Sequence, residues 1–345
     1  MKIVIVTDAW LPQINGVVTT YVKTIRELQK RGYDVTTITP VSFRKIPCPT
    51  YPEIQLSLVR PATISQTLNR VGPNAVHIAT EGTLGWAARR ACITGGFDFT
   101  TSYHTRFPEY IRMRFPLPLR LSYTVLRSFH NRGTGMMVSS SQLKKEMEER
   151  GFHNVNLWSR GVDTDLFKPT ASPLASQEKI FTYLGRVAPE KNLEAFLDLD
   201  LPGMKMVIGD GPALVDLRAK YPDVRFTGFK KGKELASMLA SSSVFVFPSL
   251  TDTLGVVQLE AMACGVPVAA FPVSGPKSLV INGYNGWMLE DLKTAALKCL
   301  DINSENCREY ALTHTWEVCT DQFLSNLIFP AQPYMIGGQL IKKAA

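Results

Sequence analysis

Several things this 345-residue chain does not contain narrow what it can be. No apolar run is long enough to cross a bilayer, which excludes a helical membrane span. The chain opens directly on the strand-like Lys2-Ile3-Val4-Ile5-Val6. It lacks the apolar core and small-residue cleavage site of a secretory signal, so a cytoplasmic location is expected. The six cysteines, Cys48, Cys92, Cys264, Cys299, Cys307 and Cys319, have neither metal-ligand nor redox spacing, and read as reduced, buried thiols. There is no Gly-x-Gly-x-x-Gly fingerprint followed by an acid, which argues against a dinucleotide cofactor. No Ser/His/Asp or Cys/His arrangement stands out. Asp163-Thr164-Asp165 has the spacing of a metal-binding acid pair but lies between the two halves of the chain, so no metal is expected. No short-period repeat is present.

Acidic residues are scarce in one region. Between Trp86 and Arg132 only Asp98 and Glu109 oppose Arg89, Arg90, Arg106, Arg112, Arg114, Arg120, Arg127 and Arg132. Trp86, Phe107, Tyr110, Phe115, Tyr123 and Phe129 interleave with them, and the whole chain carries a net charge of +8. Basic, aromatic and apolar residues together are what an anionic bilayer surface attracts, and they suit an anionic acceptor equally. A solvated basic face over core aromatics is the plainer alternative. No nucleic-acid motif accompanies the charge, and no nucleic-acid partner is expected.

The rest of the composition is that of an ordinary soluble protein, 45% hydrophobic and 20% charged, long enough for two cores. Strand-like runs at 2–7, 35–40, 55–60, 75–79, 99–103 and 136–139, with an amphipathic helix at 17–31, predict a doubly wound parallel sheet. A loop is expected around Pro47, Pro49 and Pro52, and a surface turn at Pro116 and Pro118. A linker is expected at 168–173, after which the rhythm restarts: strands at 180–184, 205–208, 224–227 and 244–247, with helices from about Glu190, at 213–220 and at 233–240. The expected fold is therefore α/β, two Rossmann-like domains facing a central cleft: residues 1–168, and residues 169–327. The segment 308–327 reads as one helix, and 328–345 is a candidate to pack back on the first domain.

The stretch from Phe247 to Val268 carries the most chemistry. An apolar strand runs into a polar loop, which opens a helix at Gly255 and Val256 with Asp252 and Glu260 at its start. Amides at a helix N-terminus bind phosphate, and a carboxylate just inside it accepts both ribose hydroxyls. Such a site suits a nucleoside diphosphate carrying a sugar. Other strand ends supply candidates. The loop from Thr7 to Thr19 holds Gly16, which permits close approach of backbone to phosphate, although strand–glycine–helix turns are common. Ser102-Tyr103-His104-Thr105-Arg106 puts an imidazole at a strand end, and Glu81 ends an earlier strand as either a sugar or acceptor contact or a helix cap. Arg186 and Lys191 set two cations beside a helix start, able to neutralise a diphosphate.

The stretch at 247–268 resembles the signature of retaining glycosyltransferases of the GT-B fold, the family 4 group: an acid, seven residues, then Glu. Here the pair is Asp252 and Glu260; the first position is usually Glu, and the shorter Asp reaches less far. Gly185-Arg186 with Glu190-Lys191-Asn192, the opening loop through Gly16, and the interdomain string 160–167 are similar to the family's own. The resemblance implies that Glu260 grips the donor ribose, that Asp252 and His104 face the donor sugar, and that Arg186 and Lys191 bind its phosphates. The amides of Leu254, Gly255 and Val256 would help, and the backbone near Gly228 and Phe229 would meet the base. It implies front-face substitution without a covalent intermediate, no cofactor, and a last helix that crosses back to the first domain.

Thr251-Asp252-Thr253 after Pro248-Ser249 is most similar to bacterial glycolipid-forming and mannosyl-type members. The expected activity is hexosyl transfer from a UDP-hexose or GDP-mannose to a membrane lipid or lipid-linked sugar. Glu81, Arg106, Arg112, Arg114 and Arg120 would lie on the acceptor and membrane side, at the inner face of the cytoplasmic membrane. A soluble acceptor, a nucleotide-sugar epimerase and a non-catalytic nucleotide-sugar binding protein remain open.

Overall fold

Short runs of β-branched and aromatic residues form strands buried on both faces, as parallel sheets require. The computed structural model describes residues 1–13, 15–48, 51–115, 117–170, 178–252, 254–329, 334–336 and 339–341. The first half runs β1 (Lys2–Val6), α1 (Gly16–Lys30), β2 (Asp34–Ile38), β3 (Arg44–Cys48), β4 (Tyr51–Leu58), α2 (Pro61–Val71), β5 (Ala75–Ile78), α3 (Thr83–Gly95), β6 (Thr100–Ser102), α4 (Phe107–Arg114), α5 (Leu119–His130), β7 (Gly135–Val138), α6 (Ser141–Glu149) and β8 (Val155–Leu157). The second runs β9 (Ile180–Leu184), α7 (Glu194–Leu197), β10 (Met204–Ile208), α8 (Leu214–Lys220), β11 (Arg225–Gly228), α9 (Gly232–Ala240), β12 (Val244–Phe247), α10 (Val256–Ala263), β13 (Val268–Ala270), β14 (Gly286–Met288), α11 (Leu292–Cys299), α12 (Ser304–Leu312) and α13 (Trp316–Asn326).

The strands form two six-stranded parallel sheets, β2-β1-β5-β6-β7-β8 and β11-β10-β9-β12-β13-β14. These are the two Rossmann-like sheets expected. Strand order reverses between β1 and β5 and between β9 and β12, and the loops leaving those strands are where such sheets bind ligands.

Three local expectations are corrected. The proline-rich stretch is mostly a hairpin: Pro47 lies in β3 opposite Gln55 and Pro52 in β4, while Pro49 is outside the described residues. This ribbon joins neither large sheet, so its outer edges have no ladder for a missing proline N–H to interrupt. The helix expected from Glu190 is a 3-10 turn at Pro189–Lys191 and then the short α7, because Asn192 between them adopts left-handed backbone, φ 55°. The single helix expected at 308–327 is two, α12 and α13, with Thr315 capping the second through Val318 N.

That break changes domains. Cys307 and Ala311 of α12 join the second core, whereas Trp316, Cys319, Phe323 and Leu327 pack with Ile3, Ile5, Tyr21 and Trp158 of the first. Trp158 Nε1 donates to Cys319 O at 3.1 Å, and Ser159 donates to Gln322 Oε1 through both N and Oγ at 2.8 Å. Phe329 packs on the same core; beyond it, β15 (Tyr334–Ile336) and β16 (Gln339–Ile341) pair with each other.

Candidate active site

The loops after β9 and β12 are stitched into one surface. Lys191 Nζ lies 2.6 Å from Asp252 Oδ1, Asn192 Nδ2 donates to Pro248 O at 3.1 Å, and Thr251 Oγ1 donates to Glu190 O at 3.4 Å. Tyr183 Oη, buried beneath, donates to Arg186 O at 2.9 Å and supports the loop's start. The Arg186 side chain is 48% exposed, with Nη1 4.0 Å from Glu190 Oε1. Two cations and two carboxylates, Asp252 and Glu190, thus converge where three loop contacts hold them.

Gly255 turns the chain into α10 with φ 80°, ψ 77°. A Cβ there would lie 2.6 Å from Phe247 Cζ and 2.8 Å from Gln258 Nε2, so only glycine fits. Gln258 Nε2 donates to buried Leu254 O at 2.6 Å, bracing the same turn. The N-cap residue Gly255 has no side chain to cap α10, and among the described residues no side chain is seen accepting from its first-turn amides. On its second turn, no hydrogen bond or ion pair holds the Glu260 carboxylate among the described residues. Burial pushes its pKa up to about 7, against the pull of the Lys23 ammonium. Lys23 itself pairs with Asp163 at 2.8 Å, so Asp163 is engaged in an ion pair. At the far edge of this sheet Gly228 ends β11, and the Phe229 side chain is 50% exposed.

In the first domain, Gly16 begins α1, capped by Asn15 Oδ1 accepting from Val18 N at 3.0 Å. Nothing lies within 4 Å of a Cβ built on Gly16, and no positive φ demands glycine there, so turn geometry does not account for it. His104 follows β6. Its Nε2 is 3.0 Å from Tyr21 Oη and its Nδ1 2.8 Å from Arg160 Nη2. Burial and then the charge of Arg160 hold its imidazole well below the usual histidine range.

Glu81 is not the cap of α3. Asp8 takes that place, its Oδ1 accepting from Leu84 N at 2.8 Å and its Oδ2 from Gly85 N at 3.1 Å. Thr80 Oγ1 donates to the same carboxylate at 2.8 Å. Glu81 Oε1 instead lies 3.1 Å from Nε2 of buried His130.

The basic stretch divides. Arg106 grips Glu146 with both terminal nitrogens, at 2.8 and 2.6 Å, and Nη2 reaches Ser274 Oγ of the second domain at 3.1 Å. It is an internal cross-domain contact rather than a surface charge. Arg89 donates to Phe129 O and Ser128 O at the end of α5, and Arg127 to Arg150 O. Arg112 and Arg120 are exposed, and the Arg114 side chain lies outside the described residues. Around them Ile111, Phe115, Leu117, Leu121 and Val125 are also exposed, while Tyr123, Leu126 and Phe129 on the other face of α5 are buried.

Tyr21, His77, Arg160 and Asp8 surround the site yet were not singled out in the sequence. An acid at the carboxyl end of β1 was a usable signal for Asp8; nothing local marks the other three, which meet only through the fold. Between the domains, beside Leu254, lies a cavity of roughly 370 Å³ that Ser139, Ser140, Ser159 and Lys277 help to line.

Residues 178–302 match the family model described as glycosyl transferases group 1, and residues 14–166 match that of glycosyltransferase family 4. The GDP-mannose-dependent alpha-mannosyltransferase of Mycobacterium tuberculosis is 28% identical over 316 residues, spanning 84% of this chain and 84% of that protein. Alpha-monoglucosyldiacylglycerol synthase of Streptococcus pneumoniae is 24% identical over 375 residues, spanning 94% of this chain and 83% of that protein. Among solved structures, Anabaena HepE in complex with UDP-glucose shares the fold, with a TM-score of 0.71 at 16% identity over 94% of this chain and 98% of that one.

Proposed function

The chain belongs to the family 4 glycosyltransferases, which use nucleotide-sugar donors, and from that premise we propose that it transfers a hexosyl group, with retention, to a lipid or lipid-linked acceptor at an anionic membrane surface. The observation that carries the donor half is the convergence of Arg186, the Lys191–Asp252 pair, the α10 N-terminus and the buried Glu260 carboxylate at one switch point. Arg186, Lys191 and the first amides of α10 neutralise the diphosphate as it departs. Glu260 accepts the ribose hydroxyls, and Phe229, with Gly228 beside it, meets the base. Asp252 and His104 hold the hexose, while Gly16 lets backbone approach from the first domain.

In this reading the bond from the anomeric carbon to the phosphate oxygen breaks through an oxocarbenium-like state. The acceptor oxygen attacks from the same face, and its proton passes to the departing phosphate oxygen. The diphosphate's charge is met by side chains and a helix terminus, so turnover is expected to persist in EDTA. The relatives' names favour a GDP-mannose or UDP-hexose donor.

The acceptor half is supported by the exposed apolar residues of 111–125 lying beside Arg112 and Arg120, a composition suited to the headgroup region of an anionic bilayer. A relative that makes a glucosyldiacylglycerol points the same way. The test is nucleotide release from a panel of UDP- and GDP-hexoses, with and without bacterial lipid extract, with Glu260→Ala as control. Release from one donor that rises with lipid and vanishes in the variant supports the proposal. Release indifferent to lipid moves the acceptor to soluble sugars, and binding without release overturns the enzymatic reading.

A further inference from the structure

A buried row of hydrogen bonds runs from the segment after β8 into the first sheet. Arg160 is 5% exposed; its Nη1 donates to Trp158 O at 2.7 Å and Ser159 O at 3.0 Å, and its guanidinium lies 4.6 Å over the Trp158 ring. Its Nη2 lies 2.8 Å from His104 Nδ1. A guanidinium only donates, so Nδ1 accepts, and a neutral ring then carries its proton on Nε2. That proton goes to Tyr21 Oη, 3.0 Å away. Tyr21 Oη lies 2.8 Å from His77 Nε2, where Ser102 Oγ also approaches to 3.0 Å. His77 Nδ1 lies 2.8 Å from Thr100 Oγ1. The donor-only guanidinium at the end of the row thus sets the tautomer of His104.

We propose that Arg160 and Tyr21 are positioning residues for His104, holding its ring in one orientation as the tautomer protonated on Nε2. The proposal rests on the reading above only in placing His104 beside the donor sugar. Groups that act on His104 include Arg160 and Trp158 from the segment after β8, Tyr21 from α1, His77 from β5 and His130 from α5. Burial, Arg160, His77 and His130 all disfavour the charged ring, and His77 is itself held down to about 3. This suits glycosyl transfer. Positive charge grows on the hexose as the leaving group departs, and an imidazolium beside it would oppose that charge, whereas a neutral ring of fixed polarity does not.

The direct test is nitrogen NMR of the full-length protein with isotope-labelled histidine, the His104 signals being assigned by their loss in His104→Asn. The Nε2-protonated tautomer, unchanged across roughly pH 5.5 to 8, is expected. A ring protonated on Nδ1, or one that titrates within that range, overturns the proposal. Arg160→Met is expected to lower kcat by about tenfold or more and to add an acid limb to the pH–rate profile, as His104 returns toward the ordinary histidine range. Arg160→Gln, which can still donate to Nδ1, should restore part of the rate. An equal loss at every pH in both variants, with no new limb, would mean that Arg160 serves packing alone. Should Arg160→Met not fold, Tyr21→Phe is read instead: with Arg160 still donating to Nδ1 the Nε2-protonated tautomer should persist while kcat falls by about tenfold because the ring loses its second anchor, and an unchanged kcat or a changed tautomer overturns the proposal. The tautomer is observable whether or not the protein transfers a hexose, so failure of this proposal and failure of the functional reading are told apart.

Discussion

Lys191 and Asp252, 61 residues apart in sequence, meet in an ion pair of 2.6 Å that closes the loop after β9 onto the loop after β12. Both side chains remain about one-fifth exposed, so a diphosphate can reach the ammonium and compete with the carboxylate. Lys191→Ala is expected to weaken nucleoside diphosphate binding by about ten- to a hundredfold, the range of a lost charge-assisted hydrogen bond. Asp252→Asn removes the competing charge. Calorimetry should find the diphosphate bound several-fold more tightly by this variant, while turnover falls by about a hundredfold or more if Asp252 holds the hexose as proposed. Unchanged turnover in Asp252→Asn would remove Asp252 from the sugar site.

Glu260 predicts a pH dependence of donor binding. Its carboxyl is raised to about 7 by burial, and under the proposed function the ionised form is the one that would accept two ribose hydroxyls. That form predominates well above pH 7, is half populated near it and is lost as pH falls through it. Affinity for an intact nucleotide sugar, whose pyrophosphate diester does not titrate here, should be about tenfold lower at pH 6 than at pH 8. Glu260→Gln should bind weakly at both pH values, with the slope gone. A wild-type slope that persists in the variant assigns the titration elsewhere.

Two glycines separate a folding role from a binding role. Gly255→Ala meets both a positive φ and a 2.6 Å clash, and should cost roughly 1–3 kcal/mol, read as a lower Tm. Gly16→Ala meets neither and should leave stability within about 0.5 kcal/mol of the parent. If the donor approaches Gly16 as proposed, the added methyl group should still weaken donor turnover.

The proposed membrane surface can be tested without touching the cleft. Leu121 and Val125 are 57% and 49% exposed one helical turn apart on α5. Changing both to Asp should leave the melting curve in place while reducing sedimentation with phosphatidylglycerol vesicles by about tenfold or more. Arg112→Ala and Arg120→Ala should each remove about 1 kcal/mol of vesicle binding, and binding should weaken with salt. Vesicle binding that survives all four changes would place the acceptor membrane on another face.

Much of this was legible along the chain. β9 and β12 lie at their expected residues because buried parallel strands are unbroken apolar runs, and those runs end at the loops that carry Arg186 and Asp252. What the chain concealed has two physical sources. Proline reads as a loop former, yet Pro47 sits in a ribbon with unpaired edges that tolerate it. Long-range polar contacts leave no local mark: Arg106 looks like a surface charge until Glu146 and Ser274 are brought to it, and Arg160 like a linker residue until the fold sets it against His104.

The passage of α13 from the second domain to the first bears on the order in which the protein is made. The sheet that is synthesised first has Ile3, Ile5 and Trp158 on a face that Phe323 and Leu327 cover. A nascent chain that has finished β8 therefore still lacks part of its own core, and must carry that apolar face uncovered while some 160 further residues are translated. The N-terminal domain begins synthesis first but can only be completed last, and the second domain becomes a step in the folding of the first.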